Sequence, residues 1–385
     1  MAALECRVRE RWPNVQVERV RVEARPNSAP DVLRVLAREL EQYRHAGFMH
    51  VNTSSGTPQM LEALKILRGT EWFPPERVKL WQVDRPEHRQ AGTPFIREAT
   101  TPFLEESLQL KAGFAALNGF DFAGATEIFT QLSERPLELP ERVQSVTTLA
   151  AVADALYCMD TLNLQDAADI LTTLPQHVPA LVPLKELVMR GQESDEAWIW
   201  LLWGRYHRAW ALNRVADALV WAVSLHEVLV VKLGVKYGLP DTDQPLKQSD
   251  LPDGLFQALT QEVPHVVAGR GRELKFKGLQ EKLAVLRAPS LGVKNVDAFD
   301  AGDKDRAAPN PDLLQVRQWR NKVLHQGRAP QPEALDTVDR VVVGMLNAFP
   351  FQEQSSREWV RNLKAVPVSA DALWDLHHEL QDWVG

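Results

Sequence analysis

The chain has 385 residues, 45% hydrophobic and 25% charged, with a net charge of −7. That length and balance exclude a single compact core and a globally basic surface, and point to two or three domains of an ordinary soluble protein. Binding of any polyanion must therefore draw on a local basic patch or on a seam between two copies. The 2 cysteines, Cys6 and Cys158, lie far apart. That excludes a disulfide framework and a cysteine-based zinc site, and suits a reducing cytoplasm. The opening residues, MAALECRVRERW, are charged and lack an apolar signal core.

Strand and helix patterns alternate over the first hundred residues. VQVERVRVE (15–23) alternates apolar and polar residues like a strand. Asn27, Ser28 and Pro30 then open an amphipathic helix through Leu33, Leu36, Leu40 and Tyr43. GFMHVN (47–52) reads as the next strand, a helix starts near Pro58 with Met60, Leu61, Leu64 and Leu67, and RVKLWQV (77–83) is a further strand. Such alternation predicts a parallel α/β sheet.

After about residue 100 strand signals disappear. Residues 110–132 place apolar and small side chains at helical spacing around Gly119, the pattern of one helical hairpin without a repeat period. Pro136 and Pro140, then Pro175, Pro179 and Pro183, break the chain, and GQESDEA (191–197) marks a boundary. Residues 198–231 are the most apolar. Arg205, Arg208, Arg214, Asp217, His226 and Glu227 interrupt them at helical intervals, predicting one long buried helix rather than a membrane span. A polar, proline-bearing segment follows at 241–252. The loop 297–311 then leads into a helix with a clear start: Asn310 as cap, Pro311 in the first turn, Asp312 at the positive dipole end. Gly327 stops that helix.

The strand 47–52 runs into NTSSGTP, and this junction suits an anion or a nucleotide. Strand C-termini in parallel sheets face the ligand crevice, Gly56 lets the backbone approach closely, and the next helix offers free N–H groups. A polar turn that only caps a helix uses the same residue types. NTSSGTPQM is similar to the Asn-x-Thr/Ser-Gly-Gly-Thr-x-x-Met signature of CRISPR-associated Rossmann-fold (CARF) domains, which bind cyclic oligoadenylates across a homodimer. The resemblance implies that Asn52, Thr53, Ser54, Ser55, Gly56 and Thr57 contact ribose and phosphate, with Gln59 and Met60 as weaker candidates. Ser55 stands where the family often has its first glycine. The family normally begins with an apolar strand carrying a second ligand loop, whereas MAALECRVRERW reads as the first helix itself. The expectation is a Rossmann-like domain lacking its first strand, either shortened or degenerate.

RNKVLH (320–325) puts Arg320, Asn321 and His325 on the last turns of the capped helix. Asn321 and His325 are four apart and share a face. Two such helices meeting at a dimer axis would pool two arginines and two histidines around one phosphate. A histidine there can move a proton to or from a ribose or leaving oxygen, and an arginine can brace the phosphate. At a helix C-terminus the imidazolium is favoured, which suits an acid or a phosphate clamp. The stretch resembles the R-x4-H signature of HEPN ribonucleases, helical domains that dimerise through this helix.

A CARF signature before a HEPN signature is the order found in the ancillary ribonucleases of type III CRISPR systems. The resemblance implies an α/β plus all-α chain: a CARF-like domain over 1–100, a helical connector over 101–194 and an α-helical HEPN domain over 195–385. It implies a cytoplasmic homodimer, with no membrane partner, activated by cyclic tetra- or hexa-adenylate. Single-stranded RNA would be cut at Arg320, Asn321 and His325 without metal or other cofactor. Two alternatives stay open: a non-catalytic cyclic-oligoadenylate-binding regulator, and a constitutive toxin-type HEPN ribonuclease. Glu227 orients Arg320 or His325, or simply makes a salt bridge. Arg317 and Lys322 flank the motif as substrate-holding or exposed residues. The basic run 269–277 tracks RNA phosphates or forms a solvated helix face. Trp198, Trp200, Trp203, Trp210 and Trp221 read as packing, and His377 and His378 as surface.

Overall fold

The structure, a computed structural model, describes residues 10–11, 28–43, 48–54, 57–70, 72, 78–83, 96–99, 102–135, 137, 142–174, 179, 181–191, 194–269, 271–302 and 310–384. The expected strand 15–23, most of the opening helix (only Glu10 and Arg11 are described, both helical), and Ser55 and Gly56 of the first motif lie outside these residues. The chain divides into two compact units, one of Met1–Ala112 with Glu134–Val143, the other of Gly113–Ser133 with Gln144–Gly385.

The first unit holds α1 (Ala29–Leu40), β1 (Met49–Asn52), α2 (Pro58–Gly69), β2 (Val78–Val83), β3 (Ile96–Glu98) and the start of α3 (Pro102–Asn118). Ser28 caps α1 by accepting from the Asp31 N–H at 3.4 Å, and Thr57 caps α2 by accepting from the Met60 N–H at 3.3 Å. β1 runs parallel to β2, with Asn52 opposite Trp81. β3 is antiparallel to β2, so the sheet is mixed where sequence alternation predicted a parallel one. The alternation of β2 sends Val78 and Leu80 into a core with Val32, Leu36, Ala63, Leu67 and Ala99. Arg68, nearly buried at the end of α2, ties four elements together. Its Nε donates to the Val78 carbonyl at 3.3 Å, and its guanidinium pairs with Glu105 and lies 3.9 Å from Glu98.

The second unit is largely helical. It comprises the end of α3, α4 (Phe122–Ser133), α5 (Arg142–Asp160), α6 (Leu164–Thr173), α7 (Leu181–Gly191), α8 (Asp195–Ala211) and α9 (Val215–Lys236). Then come β4 (Leu246–Lys247), α10 (Leu255–Glu262), β5 (Val267–Ala268), β6 (Glu273–Leu274), α11 (Leu279–Leu286), α12 (Pro311–Gln326), α13 (Ala334–Ala348), α14 (Gln354–Arg361) and α15 (Ala370–Val384). The expected hairpin is α3–α4. A Cβ on Gly113 would lie 2.4 Å from the Phe129 ring, so only glycine lets the two helices approach this closely.

The long apolar helix expected over 198–231 is two helices. Asn213 takes a left-handed φ of 56°, and Arg214 N–H closes onto the Ala209 carbonyl at 2.8 Å. Asparagine tolerates that conformation and ends α8. α9, long and apolar enough to cross a membrane by length and composition, is the central helix of this unit. It packs against α8, α11, α12 and α13, burying Leu219, Leu225, His226, Leu229 and Leu233. Trp200 and Trp203 are fully buried, as expected of packing residues.

Strands do occur after residue 100. β4, β6 and β5 form a small antiparallel sheet, and the basic run 269–277 contributes β6 rather than a helix face. Phe276 within that run is buried. His377 is 1% exposed rather than on the surface, its Nδ1 lying 3.2 Å from Asn118 Oδ1.

Candidate functional site

The first motif sits at the C-terminal end of β1, and α2 starts at Pro58. Asn52 is exposed and its Oδ1 accepts from the Ser54 N–H at 2.9 Å. Thr53 is buried, and both its N–H and its hydroxyl donate to the Trp81 carbonyl, at 2.7 and 3.0 Å. Ser54 is exposed, and its Oγ accepts from the Val83 N–H at 2.5 Å. The structure thus brings Asn52, Thr53, Ser54 and Thr57 to one strand end and one helix N-terminus. Thr53 is committed to the sheet, and Asn52 and Ser54 remain at the surface. Sequence reasoning missed His50, whose Nδ1 accepts from Trp81 Nε1–H at 2.8 Å. The period of two, which puts positions 50 and 52 on one face of β1, was the available signal.

The second motif is carried by α12, and its ends form as the local residues dictate. Asn310 Oδ1 accepts from the Leu313 N–H at 3.1 Å. At the other end Gly327, with φ 62°, lets its own N–H reach the Val323 carbonyl at 3.0 Å. Leu313 and Val316 are the buried residues of α12, both in its first half. Arg320 is half-buried, Asn321 and His325 are exposed, and Leu324 between them is 51% exposed. Arg320 Nη1 donates to Asn321 Oδ1 at 3.3 Å, while its Nε is shielded from solvent with no hydrogen-bond partner among the described residues. At about 100° per residue, Arg320 and His325 diverge by roughly 140° around the axis. One copy of α12 therefore presents the two groups to opposite flanks of its exposed face.

The surroundings of α12 are charged. Burial pushes the Arg317 guanidinium down from its ordinary range, and Arg320 adds to that, while Glu227 of α9 opposes it. Arg317, Arg320 and Glu227 thus form one electrostatic group beside the motif. Glu227 also lines a cavity of about 730 Å³ with Trp198, Lys232, Asp241 and Lys282. His226, the neighbour of Glu227 on α9, reads in the sequence only as one of the polar interruptions of the apolar stretch, with no role of its own. It is fully buried, and its Nε2 lies 2.8 Å from the Phe299 carbonyl. Burial first, and the Arg317 charge second, hold it neutral, with a pKa lowered to about 4 although the Phe299 carbonyl works the other way. The signal was again positional, since 222, 226, 229 and 233 share one buried stripe of α9.

No family model and no curated protein matches the sequence. Among solved structures, the chain is similar to Enterococcus italicus Csm6 bound to cyclic hexa-2′-fluoro-hexa-dAMP, over 94% of its own length and 82% of that chain. The TM-score is 0.51 at 12% sequence identity. The chain has the fold of Csm6. Csm6 is a type III CRISPR ribonuclease with CARF and HEPN domains, the family that the two motifs resemble. The mostly helical chain with a small sheet at its N-terminal end is consistent with the Csm6 fold.

Proposed function

We propose that this chain is a homodimeric endoribonuclease of type III CRISPR defence, activated by a cyclic oligoadenylate and cleaving single-stranded RNA. The observation that carries the reading is a capped helix ending in Arg320, Asn321 and His325 within a chain that shares the Csm6 fold. The sensor lies within residues 1–100, the connector within 101–194 and the ribonuclease domain within 195–385. Asn52 and Ser54, at the open end of β1, contact ribose and phosphate of the activator, together with Ser55, Gly56 and the start of α2. Thr53 supports that loop from within the sheet, through the Trp81 carbonyl.

In the cleavage step the ribose 2′-hydroxyl loses its proton to solvent water as its oxygen attacks the adjacent phosphorus, and the bond to the 5′-oxygen breaks. His325 gives its proton to the departing 5′-oxygen, and Arg320 donates hydrogen bonds to the crowded phosphate oxygens. The products are a 2′,3′-cyclic phosphate and a 5′-hydroxyl. The nucleophile belongs to the substrate itself, so no metal-bound water is called for. Because Arg320 and His325 diverge on one helix, a second α12 across the dimer axis completes the set. Activator binding shifts the dimer toward the geometry in which the two pairs converge.

Fluorescent single-stranded RNA, incubated with and without cyclic tetra- or hexa-adenylate, tests the reading. Cleavage that rises with activator and disappears in His325→Ala is expected. Binding without cleavage would instead identify a regulator, and cleavage indifferent to activator a constitutive ribonuclease.

A further inference from the structure

The helix that carries Arg320 and His325 is fastened at its opposite end. Asn310, the cap of α12, uses its side chain in two directions. Oδ1 accepts from the Leu313 N–H at 3.1 Å and closes the first turn. Nδ2 donates to the Ala298 carbonyl at 2.9 Å, and the backbone N–H of Asn310 donates to the Asp300 carbonyl at 3.0 Å. The first bond is all that capping needs. The other two tie the helix to the short 3₁₀ turn Val296–Phe299 and the residue after it.

That turn is held in its own right from two other helices. His226 of α9, with no exposed surface, meets the Phe299 carbonyl at 2.8 Å. A carbonyl only accepts, so Nε2 carries a hydrogen, and burial favours the neutral ring. Its Nδ1 is buried with no partner among the described residues. Arg287, the residue after α11, pairs with Asp297 at 2.7 Å and also with Asp300, which is completely buried. Val296 and Phe299 are buried beside them. A buried imidazole with one hydrogen bond, and an arginine shared between two aspartates, are costly ways to hold a loop that needs only to be covered.

We propose that Asn310, His226 and Arg287 are positioning residues for RNA cleavage: through residues 296–300 they set the rotation and axial position of α12, and with it the aim of Arg320 and His325. The inference rests on the ribonuclease reading above. The buried anchors of α12, Leu313 and Val316, lie in its first half, and no residue beyond Val316 is buried. The register of the exposed half is therefore set where the helix begins. Side-chain tips lie about 6 Å from a helix axis, so a turn of roughly 10° moves them by about 1 Å. A displacement of that size at reacting groups costs about 100-fold in rate.

Asn310→Asp separates positioning from capping. Aspartate keeps the acceptor for Leu313 N–H and places a negative charge at the helix N-terminus, both favourable to the helix. It loses the donor to the Ala298 carbonyl and sets two acceptors face to face. Positioning predicts a kcat about 100-fold below wild type and a KM for RNA within about threefold, both read at a temperature where the variant is fully folded. A cap alone predicts wild-type kcat, and that result overturns the proposal. His226 supplies the second arm. His226→Leu is expected to lose kcat as Asn310→Asp does, and His226→Gln, whose amide nitrogen can reach the Phe299 carbonyl, to restore it. Equal loss in both His226 variants, tracking their thermal midpoints, marks a folding role and overturns the proposal as well. An inactive wild-type chain brings down the ribonuclease reading and this inference together. An active wild type with a fully active Asn310→Asp brings down this inference alone.

Discussion

Lowering the pH should loosen the helical unit through three histidines, His226 and His377, which are buried, and His207, which is half-buried. Burial holds His226 and His207 down to about 4 and His377 to about 3, from an ordinary 6.5. A depressed histidine contributes stability that is complete above its unfolded pKa and is lost as pH falls through the window between 6.5 and the folded value. In that window the unfolded chain binds a proton that the folded chain refuses. Between about pH 7.5 and about pH 5, linkage gives a loss of about 2 kcal/mol for each group, so about 6 kcal/mol for all three. That is comparable to the whole stability of many domains. Carboxylates pull in both directions over the same range. Glu196 is held low by Lys236 and by the N–H groups of Gln352 and Glu353 against its burial, whereas burial raises Asp339. The clean measurement is therefore a difference. Urea unfolding of wild type, His226→Gln and His377→Gln is followed from about pH 7.5 to about pH 5. Each variant is expected to lose about 2 kcal/mol less than wild type over that range. Parallel curves would show instead that these imidazoles titrate alike in folded and unfolded chains.

Two further changes probe the packing that carries the sites. Arg68→Met removes the guanidinium shared by Val78, Glu98 and Glu105. It should destabilise the first unit by about 2–3 kcal/mol, with Arg68→Lys between; an unchanged urea midpoint would refute it. Gly204→Ala would place a Cβ 2.7 Å from Val368 Cγ2 and 2.9 Å from the Val368 carbonyl oxygen. Despite alanine's better helix propensity, it should lower stability by about 1–2 kcal/mol, and a stabilised variant would show that the α8 contact relaxes freely.

Local signals made α12 legible: Asn310, Pro311 and Gly327 mark its ends by chemistry that acts within a turn. β1 and β2 were legible because each carries enough residues for alternation to show. β3 was not, since three residues cannot display a period and their direction is set by pairing with β2. The two-residue strands β4, β5 and β6 escaped for the same reason. The break between α8 and α9 hid inside continuous apolar sequence, because Asn213 turns the chain without any glycine or proline. His377 looked exposed beside His378 and Glu379, yet it shares a stripe with Leu373 and Leu380, which are buried in α15. His226 was hidden the same way. Its role depends on Phe299, 73 residues away, and no local pattern contains that partner.

Proton donation by His325 to the leaving oxygen can be read from RNA carrying sulfur in place of the bridging 5′-oxygen. A thiolate leaves without needing a proton. General acid catalysis by His325 predicts that His325→Ala, slowed by about 100- to 10,000-fold on ordinary RNA, cuts the 5′-thio substrate nearly as fast as wild type does, with activator present in both cases. Equal slowing of His325→Ala on both substrates would contradict it.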